Sequence, residues 1–285
     1  MSEALQIPQR GTIRRRPGVL SAIALVAGSL LLSACSSGKE EVAYQERPVE
    51  QIYNQAMDYV QEGNYRKAAP QFDEVERQHP YSVWARRAIL MSAYSYYQTN
   101  DYDQAILAAQ RYISLHPGSP DAAYAYYMVA ICYYEQIVDV GRDQQTTQNA
   151  LKGLEEVVRR YPASEYARDA RLKIDLTRDH LAGKEMEIGR YYLFNQEYVA
   201  AINRFRIVLD KYQTTTHTPE ALERVTEAYV ALGVRNEAQT AAAILGYNYP
   251  GSRWYQDAYG LMKGNHAEPE VDEGSWIGRA WDSVF

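Results

Sequence analysis

The chain has 285 residues, of which 46% are hydrophobic and 23% are charged, a balance that excludes wholesale disorder. Its formal net charge of −6 argues against nucleic-acid binding, which normally requires a basic face. Five histidines and two cysteines are too few and too scattered to predict a metal centre, and we expect no cofactor.

The first 34 residues have the pattern of a secretory signal. Arginines at positions 14–16 precede an apolar run from 19 to 32, which is too short for a comfortable transmembrane helix. The run ends in the sequence LSAC, which resembles a bacterial lipobox. That resemblance implies cleavage before Cys35 and lipid attachment to it. A plain signal peptide with an accidental cysteine is the alternative.

The residues after the cysteine indicate where the lipid anchor belongs. Ser36 occupies the position at which lipoproteins retained in the inner membrane tend to carry aspartate. The resemblance to other lipoproteins therefore implies the bacterial outer membrane, with the chain facing the periplasm. Residues 35–47 are small and charged, and we interpret them as a lipidated tether.

Five copies of a degenerate pattern follow between residues 48 and 262. In the best copies a tyrosine is followed three residues later by alanine, four further on by phenylalanine or alanine, and eight further on by proline. These spacings place the aligned residues on one helical stripe, which the proline ends. A serine two residues after the proline position is suited to cap the next helix. The copies begin at Tyr65, Tyr102, Thr147, Tyr198 and Arg235, and the serines are Ser82, Ser119, Ser164 and Ser252.

A second column, consisting of a small residue and then a tyrosine, precedes each copy. Each unit is therefore a pair, an A helix and a B helix, with extra residues after Tyr133 and a lengthened helix from Ser164 towards Phe194. The column is Ala56/Tyr59, Ala93/Tyr96, Ala130/Tyr133, Gly189/Tyr192 and Thr226/Tyr229.

These columns resemble the tetratricopeptide repeat. The resemblance implies an all-α fold, a right-handed superhelical solenoid of five helix pairs whose A helices line the inner surface. Neither helix of a unit can bury its apolar stripe alone, so residues 48–262 should form one continuous stack.

The tyrosines fall into two groups, although the chain contains 26 tyrosines and only 4 phenylalanines. Those in the repeat column are predicted to wedge the helices of a pair together. A second stripe, rotated by one position, is predicted to line a substrate-peptide groove within residues 48–137, because tyrosine suits an adaptable binding surface. The alternative is that these rings pack against a neighbouring helix. The stripe comprises Tyr53, Leu90, Tyr94, Tyr97, Tyr124, Tyr127, Ile131 and Tyr134.

No catalytic constellation is present, and we predict that the chain is not an enzyme. His79 and His116 occupy the same repeat position, so they reflect repetition and do not form a ligand pair. The segment VGRDQQ at 140–145 has the composition of an anion-binding turn, but an inserted linker is the favoured interpretation.

The C-terminus is a separate element. Residues 263–274 form an acidic linker, and 275–285 carry an apolar face that includes Trp276 and Trp281 at helical spacing. A helix this short is marginal alone and must dock on something. A protein partner is favoured slightly over the chain's own solenoid, and the membrane surface is the least favoured candidate.

The order of these elements resembles the BamD family, lipoproteins of the bacterial machinery that assembles β-barrels in the outer membrane. The likeness is most specific in AYYMVAICYYEQIVDVGRDQ (125–144), VVRRYPASEYARDARLK (157–173) and GKEMEIGRYYLFNQEYVAAINRF (183–205). It implies a non-enzymatic, lipid-anchored scaffold that assists insertion of barrel proteins.

The same resemblance implies the partners. They are the barrel-inserting BamA-like subunit, the other assembly lipoproteins, and unfolded outer-membrane proteins at the N-terminal groove. Asn203 and Arg204 lie off the buried stripe of their helix and are candidate contacts for the subunit. The competing hypothesis is a periplasmic lipoprotein of the same repeat class that regulates peptidoglycan synthesis or cell division.

Overall fold

The computed structural model describes residues 46–272 and 274–282, and Cys35 lies outside these ranges. The described residues contain twelve α-helices and no strand. The helices are α1 (Val49–Gln61), α2 (Tyr65–Gln78), α3 (Val83–Gln98), α4 (Tyr102–Leu115), α5 (Ala122–Glu135), α6 (Gln145–Arg160), α7 (Glu165–Phe194), α8 (Tyr198–Lys211), α9 (Thr218–Leu232), α10 (Arg235–Asn248), α11 (Arg253–Gly264) and α12 (Trp276–Asp282).

The helices form a solenoid of pairs. Each of α1 to α10 packs against the next along the chain, and each A helix (α1, α3, α5, α7 and α9) also contacts the A helix that follows. The predicted all-α solenoid of five tetratricopeptide-like pairs is therefore confirmed. Helix α11 packs on both α9 and α10 and extends the A-helix layer beyond the fifth pair.

The predicted stripe forms the core between the two helices of each pair. All ten of its residues in the B helices are completely buried, so the spacing of three and four residues is explained by burial of one helix face. They are Ala68, Phe72, Ala105, Ala109, Ala150, Leu154, Ala201, Phe205, Ala238 and Ala242.

Three of the four predicted serine caps are present. The hydroxyls of Ser82, Ser164 and Ser252 accept hydrogen bonds from backbone N–H groups at distances of 3.0, 3.1 and 3.2 Å. The prediction is wrong for Ser119, because α5 begins only at Ala122. The Ser119 hydroxyl instead lies 2.7 Å from the hydroxyl of Tyr112, whose ring is fully buried and whose polar atom requires a partner.

The residues inserted before α6 form a loop that is held by hydrogen bonds among its own residues. The buried Gln144 amide donates to the carbonyl oxygens of Asp139, Val140 and Arg142, and its oxygen accepts from Thr147. These bonds support the linker interpretation.

Helix α7 joins two parts of the core. Its N-terminal half, with Ala170 and Ile174, packs with residues of α5 and α6, whereas its C-terminal half, with Ala182 and Met186, packs with α8 to α12. The extra turns of α7 therefore carry the stack from the third unit to the fourth. None of the helices in the described part of the chain combines the length and hydropathy of a membrane-spanning segment.

Candidate functional site

A concave pocket of about 500 Å³ lies between the A helices of the first four units. Four of the predicted groove residues line it: Tyr53 from α1, Leu90 and Tyr94 from α3, and Tyr124 from α5. The sequence analysis missed its other lining residues, which are Arg87, Met91, Asp121 and Tyr166. We call this surface the aromatic groove.

One wall of the aromatic groove is formed by Tyr124 and Tyr166, and Tyr127, which does not itself line the pocket, packs against Tyr166. The Tyr166 ring lies 5.5 Å from that of Tyr124 and 5.3 Å from that of Tyr127, measured between centroids. Burial raises the pKa of Tyr124, and burial together with the Asp169 carboxylate raises the pKa of Tyr127. Both hydroxyls therefore stay protonated at neutral pH, and that of Tyr127 donates to Asp169.

On the opposite side of the groove, Tyr53 and Tyr94 are held by contacts with residues that include Phe72 and Tyr65 of the first unit. The ring of Tyr53 packs between Phe72, at 5.5 Å, and Trp84, at 4.8 Å, and burial raises the pKa of its hydroxyl. Tyr65 packs edge-on against Tyr94 at 5.8 Å. These contacts fix the rings that line the groove, so the surface is largely formed before any ligand binds.

The remaining predicted groove residues do not line the pocket. The Tyr97 hydroxyl donates to Glu135 over 3.4 Å, and burial, aided by that carboxylate, raises its pKa to about 12. The ammonium of Lys173 lies 5.5 Å from the centre of the Tyr134 ring. Ile131 is only 4% exposed, because it belongs to a core cluster of α3, α4 and α5, so it contributes to the core and hardly to a surface.

The column tyrosines are half-buried between the helices of each pair. The Tyr96 hydroxyl donates to Asp73 over 2.8 Å, and that of Tyr229 accepts from the indole of Trp276 over 2.7 Å. In Tyr96 and Tyr229 the ring packs while the hydroxyl reaches a partner, as predicted for wedging residues.

A signal for Tyr166 was present in the sequence. It follows the capping residue Ser164 by two positions, as Trp84 follows Ser82 and as Trp254 follows Ser252. Three aromatic residues at one position of the first helical turn form a column that the alignment on tyrosine and proline did not include.

The two candidate contacts on α8 differ in exposure. Asn203 is exposed, as predicted. Arg204 is half-buried, and its guanidinium donates to Glu185 of α7 over 3.2 Å. Arg204 thus ties the two helices of the fourth unit together and still presents part of its guanidinium to solvent.

Helix α12 packs on the chain itself, against α8 and α10. Trp281 is 8% exposed and Ile277 only 1%. The guanidinium of Arg206 stacks 4.5 Å from the Trp276 ring, and Gln213 donates to the carbonyl of Ala280. Self-packing, the second alternative in the sequence analysis, therefore accounts for this apolar face, and a partner role for Trp276 and Trp281 stays a prediction.

The linker before α12 is also held by the fifth unit. The amide of Gln239 donates to the carbonyl of Glu268 over 2.7 Å, and the backbone N–H of Asp272 donates to the Thr240 hydroxyl over 3.0 Å. This segment has no helical periodicity, but its backbone is bonded to side chains of α10.

The fold and the groove together define a tetratricopeptide-like protein with an aromatic inner surface. The profile of the YfiO family, described as an outer membrane lipoprotein, matches residues 45–245. The chain therefore belongs to this family, whose curated members are named BamD.

Two of the relatives with that name show the extent of the similarity. The chain is 54% identical over 257 residues to the outer membrane protein assembly factor BamD of Caulobacter vibrioides, covering 90% of this chain and 84% of that protein. It is 44% identical over 240 residues to that of Rickettsia prowazekii, covering 84% and 95%. Among solved structures, the TPR domain of P58(IPK) aligns with a TM-score of 0.40 at 14% identity, covering 94% of this chain and 69% of that one.

Proposed function

We propose that this chain is a non-enzymatic scaffold and substrate-binding component of the complex that assembles β-barrel proteins into the outer membrane. The observation that carries the proposal is the aromatic groove, which is built from four successive A helices. The names of the relatives as outer membrane assembly factors support it.

The chemistry of the aromatic groove suits an extended segment of an unfolded barrel protein. Strands of such proteins alternate apolar and polar residues. The rings of Tyr53, Tyr94, Tyr124 and Tyr166 offer apolar faces, while their hydroxyls and the charged Arg87 and Asp121 offer hydrogen bonds. Each aromatic contact contributes about 0.5–1.5 kcal/mol beyond its buried area. After the cost of ordering the segment, binding is modest, and capture is reversible.

We assign the membrane anchor to a lipid on Cys35, at the periplasmic face of the outer membrane. The scaffold contacts of the proposal are the barrel-inserting subunit, at Asn203 and Arg204 on α8, and the other assembly lipoproteins. Replacement of Cys35 by serine should remove the protein from the outer-membrane fraction. Retention of Cys35→Ser in the outer-membrane fraction would contradict the anchor.

Site-directed photo-crosslinking in cells tests the groove. A photoreactive phenylalanine analogue is placed at position 94 or 124 inside the groove, and at Tyr247, which is 87% exposed on α10, as a matched control. We expect crosslinks to unfolded barrel proteins from 94 and 124 and none from 247. Equal crosslinking at all three positions would overturn the assignment of the groove.

Purification of the wild-type protein in mild detergent tests the scaffold role independently. The proposal predicts that the barrel-inserting subunit copurifies. Recovery of peptidoglycan synthases or division proteins in its place would favour the competing regulatory function.

A further inference from the structure

Two leucines on α7 are exposed although they occupy inner-face positions of the repeat. Leu172 is 65% exposed and Leu176 is 60% exposed. Counted from the serine that caps each helix, they stand where α3 has Leu90 and Tyr94, and both of those residues line the aromatic groove. We call the two exposed leucines of α7 the leucine pair.

The leucine pair adjoins the tyrosine stripe of α5. Asp169 accepts a hydrogen bond from the Tyr127 hydroxyl, and the ammonium of Lys173 lies 5.5 Å from the centre of the Tyr134 ring. These two contacts set the rotation of α7 against α5. Each leucine follows one of the two charged residues by three positions and is therefore its neighbour on the helix surface. The leucine pair thus extends the inner surface beyond the tyrosines of the third unit.

The leucine pair also continues the aromatic groove along α7. Tyr166, in the first turn of this helix, lines the groove, and the leucines follow it by six and ten residues. At a rise of 1.5 Å per residue, they lie about 9 and 15 Å further along the helix axis. An extended segment advances about 3.3 Å per residue, so about five more residues of a segment in the groove reach the second leucine.

The following A helix packs further along α7. In α3, the residues that correspond to the leucine pair share one pocket with Tyr124 of the next A helix. In α7, the next A helix packs against the C-terminal half: Glu220 pairs with Arg190, and Leu222 belongs to one core cluster with Met186. The leucine pair lies before these contacts and keeps most of its apolar surface in water, so a ligand that covers it gains hydrophobic free energy.

We propose that the leucine pair is a second subsite of the aromatic groove and binds apolar side chains of the same unfolded barrel-protein segment. This inference rests on the proposed function. Strands of barrel proteins alternate apolar and polar residues, so their apolar side chains recur about every 6–7 Å in the extended chain. The two leucines are four residues apart, or about 6 Å along the helix, and match that repeat. An extended segment that leaves the groove along α7 therefore places successive apolar side chains against the pair.

Fluorescence anisotropy with two labelled peptides tests the subsite on the purified mature chain. Both peptides alternate serine and tyrosine, and they are about six and about twelve residues long, so that only the longer one spans groove and pair. The variant Leu172→Gln/Leu176→Gln keeps side-chain length and helix preference but removes the apolar contact. The matched control, Leu107→Gln/Leu115→Gln, changes two leucines of α4 that are 56% and 57% exposed.

We expect the longer peptide to bind the wild type more tightly and to lose roughly tenfold in affinity with the leucine-pair variant. The shorter peptide should change by less than about twofold with that variant, as should both peptides with the α4 control. Tyr94→Ala alters the groove itself and should weaken both peptides.

The outcomes separate the subsite from the groove. If Tyr94→Ala weakens both peptides while the leucine-pair variant has no more effect than the α4 control, the groove stands and the subsite is overturned. Equal losses of both peptides with the leucine-pair variant would overturn it as well, because the leucines would then act on the groove as a whole. If the wild type binds neither peptide, the proposed function is wrong and the subsite with it.

Photo-crosslinking in cells identifies the occupant. A photoreactive phenylalanine analogue is placed at position 172 or 176, with position 107 as the matched control. We expect crosslinks from 172 and 176 to the same unfolded barrel proteins that crosslink from the groove, and none from 107. Crosslinks only to a second copy of the chain or to another assembly protein would overturn the assignment of the pair.

Discussion

Tyr124 and Tyr166 pack with ring centroids 5.5 Å apart although they belong to different repeat units. Tyr124 comes from the third A helix, and Tyr166 comes from the first turn of the lengthened fourth one. Both line the aromatic groove, so this contact joins the parts of its surface that the third and fourth A helices contribute. The N-terminal half of α7, including Tyr166, packs against the third unit, whereas its C-terminal half packs in the fourth.

Removal of this ring should weaken substrate binding and leave the fold intact. Tyr166→Ala deletes one wall of the groove, and we expect affinity for an unfolded barrel protein to fall roughly two- to twelvefold, the equivalent of about 0.5–1.5 kcal/mol. Binding is measured by titration, with Tyr247→Ala as the matched loss of a surface tyrosine. Equal affinities for the two variants would count against a binding role for Tyr166.

A pair of glycine variants tests the close packing of the fourth unit. A Cβ added at Gly189 collides with the ring of Phe205, whereas one added at Gly260 in α11 meets nothing within 4 Å. Gly189→Ala should lower the free energy of unfolding by about 1–3 kcal/mol. Gly260→Ala should leave it unchanged or raise it by about 0.5–1 kcal/mol, because alanine favours the helix. Urea denaturation provides the comparison, and similar stabilities would contradict the predicted collision.

The raised pKa of Glu223 predicts that the free energy of unfolding depends on pH. Burial, only partly offset by Arg224, raises its pKa from 4.5 to about 7. Between these values the unfolded chain has lost this proton and the folded chain has kept it, so the contribution to stability falls as pH rises from about 4.5 to about 7. Glu223→Gln removes this dependence.

The free energy of unfolding of Glu223→Gln, relative to wild type, should therefore rise by about 1–3 kcal/mol between about pH 5 and about pH 8. Denaturation across this range measures the difference, and Glu62→Gln is the reference for the loss of one exposed carboxylate. A constant difference between wild type and Glu223→Gln would show that the carboxylate does not titrate as proposed.

The Trp276 indole contributes a hydrogen bond and a cation–π contact to docking of the C-terminal helix. Trp276→Phe removes the hydrogen bond to Tyr229 and weakens the stacking of Arg206, at a cost of about 0.5–1.5 kcal/mol. We expect faster protease cleavage within 264–274 and unchanged cleavage elsewhere. Trp84→Phe is the matched change in the first unit, and an identical cleavage pattern in both variants would contradict the prediction.

The sequence predicted the repeat units, because helix periodicity and prolines at fixed spacing are local signals. The buried stripe from Ala68 to Ala242 follows from that spacing alone, since a B helix with one apolar face has one way to pack against its A helix. The sequence also predicted that Tyr53, Leu90, Tyr94 and Tyr124 line the groove, because they lie on one stripe of the A helices, rotated from the repeat column.

Tertiary structure decided which neighbours complete each surface. Tyr166 joins the groove because the first turn of α7 packs against α5, as Trp84 in the first turn of α3 packs against Tyr53 of α1. Ile131 leaves the predicted surface because it belongs to the core cluster that α3, α4 and α5 form together. The apolar face of α12 packs on α8 and α10. Helical spacing predicted this face but could not tell whether the chain itself or a partner covers it. Periodicity determines which face of a helix is apolar, whereas the distances between helices determine what that face contacts.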